Sequence, residues 1–228
     1  MRAMLLAAGR GERMRPLTDA TPKPLLSVGG RPLIAYHLDA LARGGVREVV
    51  INLSWLGAQI RAALGSGAAW GVHISYSEEG PVPLETGGGI FQALPLLGSE
   101  PFLVVNADVF TDFDPTTLRL EPQADARLVL VPNPPHHPRG DFGLESERVI
   151  ERAADAAAAS PQETFTYAGI GIYRPELFAG CRAGRFALLP LLQRAIAAGR
   201  LRGQLYRGGW LDVGSPARLA ELDARLRG

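Results

Sequence analysis

Short apolar runs at 3–8, 48–52, 72–76 and 102–106 alternate with helix-period segments at 33–43, 56–64 and 89–97. That strand–helix alternation predicts an α/β fold: a Rossmann-like, mainly parallel sheet with helices on both faces. Gly44 and Gly45 stop the first long helix. Beyond residue 108 the pattern becomes mixed, with short strands near 126–131, 142–144, 166–173 and 204–207 and a helix near 187–198. A last helix spans 216–227. Ser215 is its N-cap and Pro216 its first turn, Leu219, Leu222 and Leu226 line one face, and Arg225 and Arg227 sit near its negative end. The alanine-rich stretch Ala153 to Ser160 reads equally as helix or surface loop, and no internal repeat is present. One domain is expected over 1–228, with its halves meeting near residue 112.

A doubly wound sheet gathers ligands at the carboxyl ends of its strands. Two such ends carry suggestive residues. Gly9 and Gly11 follow the first strand, where glycines let backbone N–H groups approach a phosphate, with Arg10, Arg13 and Arg15 adding positive charge. No Gly-Lys-Ser/Thr follows, so this is not a P-loop, and Met14 stands where a dinucleotide fingerprint needs its third glycine. At the end of the run Phe102 to Asn106, Asp108 delivers a carboxylate from a buried strand, either into a cleft or as a turn former.

Composition sharpens the picture at one position. Of 24 Lys and Arg residues only Lys23 is a lysine, which suggests that this site needs a compact ammonium rather than a planar fork. The net charge of +1 leaves no broad basic surface, so phosphate binding is local and a nucleic-acid partner is not expected. Cys181 is the single cysteine, which excludes an internal disulfide and a multi-cysteine zinc site. The apolar start is too short for a signal peptide, and no run approaches the ~20 apolar residues of a membrane span. A cytoplasmic protein without membrane contact is expected.

The stretch Leu6-Ala7-Ala8-Gly9, Gly11-Glu12-Arg13, Pro16-Leu17-Thr18 and Pro22-Lys23-Pro24-Leu25 resembles the signature of the sugar-phosphate nucleotidyltransferases, every element being present in order. Glu85-Thr86-Gly87-Gly88-Gly89, Asn106-Ala107-Asp108 and Trp210-Leu211-Asp212-Val213-Gly214 extend the resemblance over almost the whole chain. It implies the nucleotide-diphospho-sugar transferase fold, with nucleotide held by the first half and sugar by the second. The implied reaction is attack by a sugar 1-phosphate on the α-phosphorus of a nucleoside triphosphate, with pyrophosphate leaving. A phosphate monoester is already an anionic nucleophile, so no general base is needed. The combination of Glu85-Thr86-Gly87-Gly88-Gly89-Ile90, Asn106-Ala107-Asp108-Val109, the His136-His137 to Gly140-Asp141-Phe142 segment and the short length most resembles the members of that family that join UTP and N-acetylmuramic acid 1-phosphate in cell-wall sugar recycling. Another hexose 1-phosphate with GTP, dTTP or UTP is the alternative within the class; a non-catalytic nucleotide-sugar-binding subunit is the alternative outside it.

Residue by residue, the resemblance implies Mg²⁺ on Asp108 and Asp212, Arg13 against the departing pyrophosphate, and Lys23 at the reacting phosphates. Ala8, Gly9 and Gly11 are expected against the nucleotide, Gly88 near its base or ribose, and Glu79 on the base edge unless it is simply solvated. Glu85, Asn106, Asp141 and Glu151 are expected to contact the sugar, although Asn106 equally suits a strand-end cap. The pattern departs from the family at Glu151-Arg152, where relatives carry a lysine that grips the sugar phosphate. Arg148 or Arg152 could replace it. Arg139, Arg148 and Arg152 are the available cations for the sugar's lactyl carboxylate. Adjacent residues in a proline-rich loop point apart, so His136 and His137 read as loop residues rather than a metal pair. Oligomeric state has no sequence signal.

Overall fold

A computed structural model describes residues 1–152 and 163–227, so the Ala153–Ser160 stretch lies outside the described residues. The first half alternates strand and helix: β1 (Ala3–Leu6), α1 (Leu17–Ala20), a short hairpin of β2 (Ser27–Val28) and β3 (Arg31–Pro32), α2 (Leu33–Arg43), β4 (Glu48–Leu53), α3 (Gly57–Leu64), β5 (His73–Glu78), α4 (Glu85–Leu97) and β6 (Phe102–Asn106). The second half adds β7 (Val109–Thr111), β8 (Ala126–Val131), β9 (Phe142–Glu145), β10 (Arg148–Glu151), β11 (Thr164–Tyr173), α5 (Leu189–Ala197), β12 (Leu201–Leu205), β13 (Trp210–Asp212) and α6 (Pro216–Arg227).

Nine strands from both halves share one sheet, ordered β5-β4-β1-β6-β11-β8-β12-β10-β9. Following the pairings across it, β5, β4, β1, β6, β8, β12 and β9 run one way, and β11 and β10 run against them. The expected mainly parallel sheet is therefore present, with β11 as the reversed strand that joins the two halves. Period-2 burial builds a core on each face. Leu5, Ile51, Leu103, Val105 and Val129 pack on one side with Ile34 and Leu38 of α2 and Ile60 of α3. Met4, Val50, Val104, Leu128 and Leu130 pack on the other with Ile90 and Ala93 of α4 and Leu191 and Leu192 of α5.

Most boundaries fall near the expected ones, and the departures have local causes. β1 stops at Leu6 because the Ala7 N–H leaves the ladder to donate to Asn52 Oδ1 at 2.7 Å. β12 lies at 201–205 rather than 204–207, since Leu201 to Leu205 pair in parallel register with Ala126 to Leu130. α4 begins at Glu85, not 89: Gly87, Gly88 and Gly89 are helical and buried despite glycine's poor propensity. Their missing side chains explain this, because a Cβ at Gly87, Gly88 or Gly89 would meet Phe186 at 2.6 Å, the Gly184 carbonyl at 2.3 Å and Glu79 Oε1 at 2.4 Å respectively. On α6, Ser215 Oγ accepts from the Arg218 N–H at 3.4 Å and Leu222 is buried against Val28, Leu33 and Val213. Among the described residues no helix is long and apolar enough to cross a membrane.

Candidate active site

The loop after β1 is locked by glycine geometry. Gly11 has φ +64°, and a Cβ there would meet Thr18 Cγ2 at 2.9 Å. Its carbonyl accepts from the Met14 N–H and the Thr18 hydroxyl, both at 2.8 Å, while Met14 is fully buried. Arg13 is thereby left exposed at the mouth of the site. Gly9 differs: a Cβ there meets no atom within 4 Å, so protein packing does not require glycine at this position.

Lys23 opens a 3₁₀ turn between Pro22 and Pro24 and is 8% exposed. Its ammonium donates to Asp108 Oδ2 at 2.6 Å. Asp108 lies between β6 and β7, and β7 pairs antiparallel with β13, setting Asp212 opposite Val109. The Val213 N–H donates to the Asp108 carbonyl at 2.9 Å. A two-stranded ribbon thus makes neighbours of two carboxylates 104 positions apart in sequence. Asp212 Oδ2 lies 3.3 Å from Arg218 Nη1 and 3.5 Å from His136 Nε2, and Arg218 also contacts His136. Burial and the Arg218 charge hold the His136 pKa below its ordinary value.

His37 supports the ribbon from α2. It is buried, and its Nε2 contacts the Val109 carbonyl at 2.8 Å, so it must be the donor in that bond. Burial lowers its pKa from 6.5 to about 4. An unfolded chain therefore takes up a proton near pH 6.5 that the folded chain refuses until about pH 4. Its part in stability is complete above pH 6.5 and falls as pH drops through that window. Urea midpoints should fall by the equivalent of about 2–3 kcal/mol between pH 7.5 and 4.5, and His37→Gln, which keeps a donor, should flatten that slope. An unchanged slope in the variant would remove His37 as its source.

Three cavities meet at Asp108. The first, about 200 Å³, runs from Ala7, Ala8 and Gly9 to Glu79, Glu85, Thr86 and Asn106. The second is lined by Gly9 to Met14, Lys23, Glu85 and Arg185. The third holds Arg13, Asn106, Asp212, His136, His137, Thr166, Tyr167 and Trp210. Ala8, Gly9, Gly11, Arg13, Lys23, Glu79, Glu85, Asn106, Asp108 and Asp212 all line one or more of these three cavities. Asn106 is pressed there by β11, where a Cβ on Gly169 (φ +73°) would lie 2.7 Å from its Nδ2.

Other expected residues sit differently. Glu79 is buried, with Oε1 accepting from Asn52 Nδ2 at 2.6 Å and Oε2 from the Leu84 N–H at 2.7 Å. It ties the 80–84 loop, through Asn52, to Ala7 at the start of the glycine loop. Gly88 faces the protein rather than a cavity: its N–H donates to the Phe186 carbonyl at 3.0 Å. Asp141 stands beside the third cavity, accepting from the Tyr167 N–H at 2.8 Å and contacting His137 Nε2 at 3.0 Å. Glu151 ends β10 opposite Phe142, and Arg148 pairs in register with Arg202; neither is among the cavity-lining residues. Arg139 and Arg152 are exposed and line none of the three. Two arginines near the site carried no advance signal. Arg185 enters the second cavity and pairs with Glu85 at 2.9 Å, and Arg218, one helical turn into α6, reaches Asp212.

Among the described residues no group of three or more His, Cys, Asp or Glu side chains could hold a metal. Two hard carboxylates with the remaining positions left to phosphate oxygens and water suit Mg²⁺, which dehydrates reluctantly. They do not suit zinc.

A glycine loop facing two carboxylates at strand ends fits phosphate chemistry, and the chain belongs to the Nucleotidyl transferase family, which it matches over residues 2–227. It is 52% identical to the N-acetylmuramate alpha-1-phosphate uridylyltransferase of Neisseria meningitidis serogroup B, covering 98% of this chain and 97% of the relative. The protein of the same name from Caulobacter vibrioides is 37% identical, with 98% and 96% covered. The fold is shared with the inositol-1-phosphate CTP transferase from T. maritima, at TM-score 0.76, 20% identity and 99% and 96% coverage.

Proposed function

We propose that this chain transfers a uridylyl group from UTP to N-acetylmuramic acid α-1-phosphate, releasing pyrophosphate and UDP-N-acetylmuramate, in cytoplasmic recycling of cell-wall sugars. The observation that carries the reading is Asp108 at the meeting point of three cavities, one suited to each part of the reaction. The nearly full-length 52% identity to a uridylyltransferase of that specificity supports the substrates.

The nucleoside takes the first cavity, bounded by Glu79, Thr86 and Ala8. Glu79 shapes this cavity through Asn52 and Leu84, and a free lone pair on its carboxylate can still accept from the uracil N3–H. The triphosphate lies along Gly9 to Arg13 in the second. Gly9 needs no glycine for the protein's own packing, and its open side is where a phosphate oxygen would come against the backbone. Arg13 lines the second and third cavities, which suits it to neutralise pyrophosphate as it departs. Lys23 places its charge beside Asp108, at the reacting phosphates. The sugar fills the third cavity, between Trp210, Tyr167 and Asn106.

Asp108 and Asp212 would hold Mg²⁺, which when bound supplies positive charge between two anionic reactants. Within the protein, Lys23 balances Asp108, and Arg218 and His136 face Asp212, so both carboxylates are oriented before any ligand arrives. Phosphorus NMR of the enzyme with UTP, N-acetylmuramic acid 1-phosphate and Mg²⁺ tests the chemistry. Pyrophosphate and a UDP-sugar should appear in equal amounts, and EDTA should stop both. Phosphate release without a UDP-sugar would contradict group transfer.

A further inference from the structure

N-acetylmuramic acid differs from other N-acetylated hexoses by a lactyl ether that ends in a carboxylate. If that sugar is the substrate, as proposed above, something in the third cavity must read an anion on the side of the ring away from the phosphate. Among the described residues lining that cavity, only Arg13, His136 and His137 can carry positive charge. Arg13 is shared with the second cavity, and His136 contacts Arg218 and Asp212 at the phosphate end. His137 remains.

Its surroundings are built. Asp141 Oδ1 lies 3.0 Å from His137 Nε2, and Asp141 is itself fixed on β11, its N–H donating to the Phe165 carbonyl and its Oδ2 accepting from the Tyr167 N–H, both at 2.8 Å. The loop carrying the histidine is tied down by Asn133, whose amide donates to the Thr164 carbonyl at 3.0 Å and accepts from the Thr166 hydroxyl at 2.9 Å. Gly140, at φ +59°, completes the turn where a Cβ would meet Asn133 Oδ1 at 2.5 Å. Asp141 takes the Nε2 edge of the ring, which leaves the Nδ1 edge for a ligand. Transfer between phosphates needs no general base, so the reaction itself does not call for this pair.

We infer that His137, oriented by Asp141, is the specificity residue that recognises the lactyl carboxylate, with Asp141 as its positioning residue. This inference rests on the proposed substrate. Titration calorimetry with UDP-N-acetylmuramate and UDP-N-acetylglucosamine, which differ only by the lactyl group, separates the two ideas. A parent enzyme that does not bind the lactyl product more tightly would defeat the substrate assignment itself.

Given that preference, His137→Ala should weaken UDP-N-acetylmuramate by about 10-fold or more, the scale of a lost charged hydrogen bond. UDP-N-acetylglucosamine should change less than about 2-fold, so the preference collapses. His137→Arg, which keeps the charge, should retain more of the preference than alanine. Asp141→Asn should raise KM for the sugar phosphate with little change in kcat. Equal weakening of both products by His137→Ala, or an intact preference, would overturn the assignment.

Discussion

Asp108→Asn and Asp212→Asn should each cut turnover by about 10²- to 10³-fold or more, the scale seen when a preorganised charge-stabilising group is lost. The amide keeps the carboxylate's volume, and the β7–β13 ribbon is held by backbone bonds, including Val213 N–H to the Asp108 carbonyl, so the fold should survive. Each variant removes one of the two hard oxygen donors that the ribbon brings together and leaves a cation unbalanced: Lys23 at Asp108, Arg218 at Asp212. Pyrophosphate release titrated with Mg²⁺, beside a circular-dichroism melt, measures both halves of the expectation. Near-parental activity in a folded variant would take that residue out of the proposed Mg²⁺ site.

Lys23→Arg should lower kcat/KM by about 100-fold, or about 2.7 kcal/mol, although the charge is kept. Lys23 is 8% exposed, fixed between two prolines, and places its ammonium 2.6 Å from Asp108 Oδ2. Its Cβ already lies 3.4 Å from where a side chain on Gly11 would begin, so the glycine loop leaves little room to retreat. A guanidinium is longer and planar, and would either push Asp108 toward Asp212 or enter the cavity where phosphate belongs. Parental kinetics in this variant would mean that the sole lysine reflects composition and not chemistry.

What was legible in the sequence follows from physical range. Period-2 and helix-period burial are local, so β1, β4, β6, β8, α2 and α3 fall within about a residue or two of their expected bounds. The glycine loop and Lys23 were visible for the same reason. Asp108 was visible at a strand end, but its pairing with Asp212 was nameable only through family resemblance. The three-residue ribbon strands that join them carry too little pattern to register. The start of α4 was expected too late because three glycines in a row read poorly as helix, whereas contact with Gly184 and Phe186 decides their conformation. Arg148 and Arg152 looked suited to replace the missing lysine because they flank its expected position in sequence, yet neither lines the three cavities. Arg218, on a distant helix, had no local signal and reaches Asp212.

The proposed activity stands or falls on which sugar and which nucleotide this site joins. N-acetylmuramic acid, N-acetylglucosamine, glucose and mannose 1-phosphates, each offered with UTP, GTP, dTTP, CTP or ATP, should give pyrophosphate fastest for the first sugar with UTP. Sugars lacking the lactyl carboxylate should fall well behind, because the groups prepared for it would be left unpaired. A preference for glucose 1-phosphate with dTTP, or for mannose 1-phosphate with GTP, would contradict that specificity.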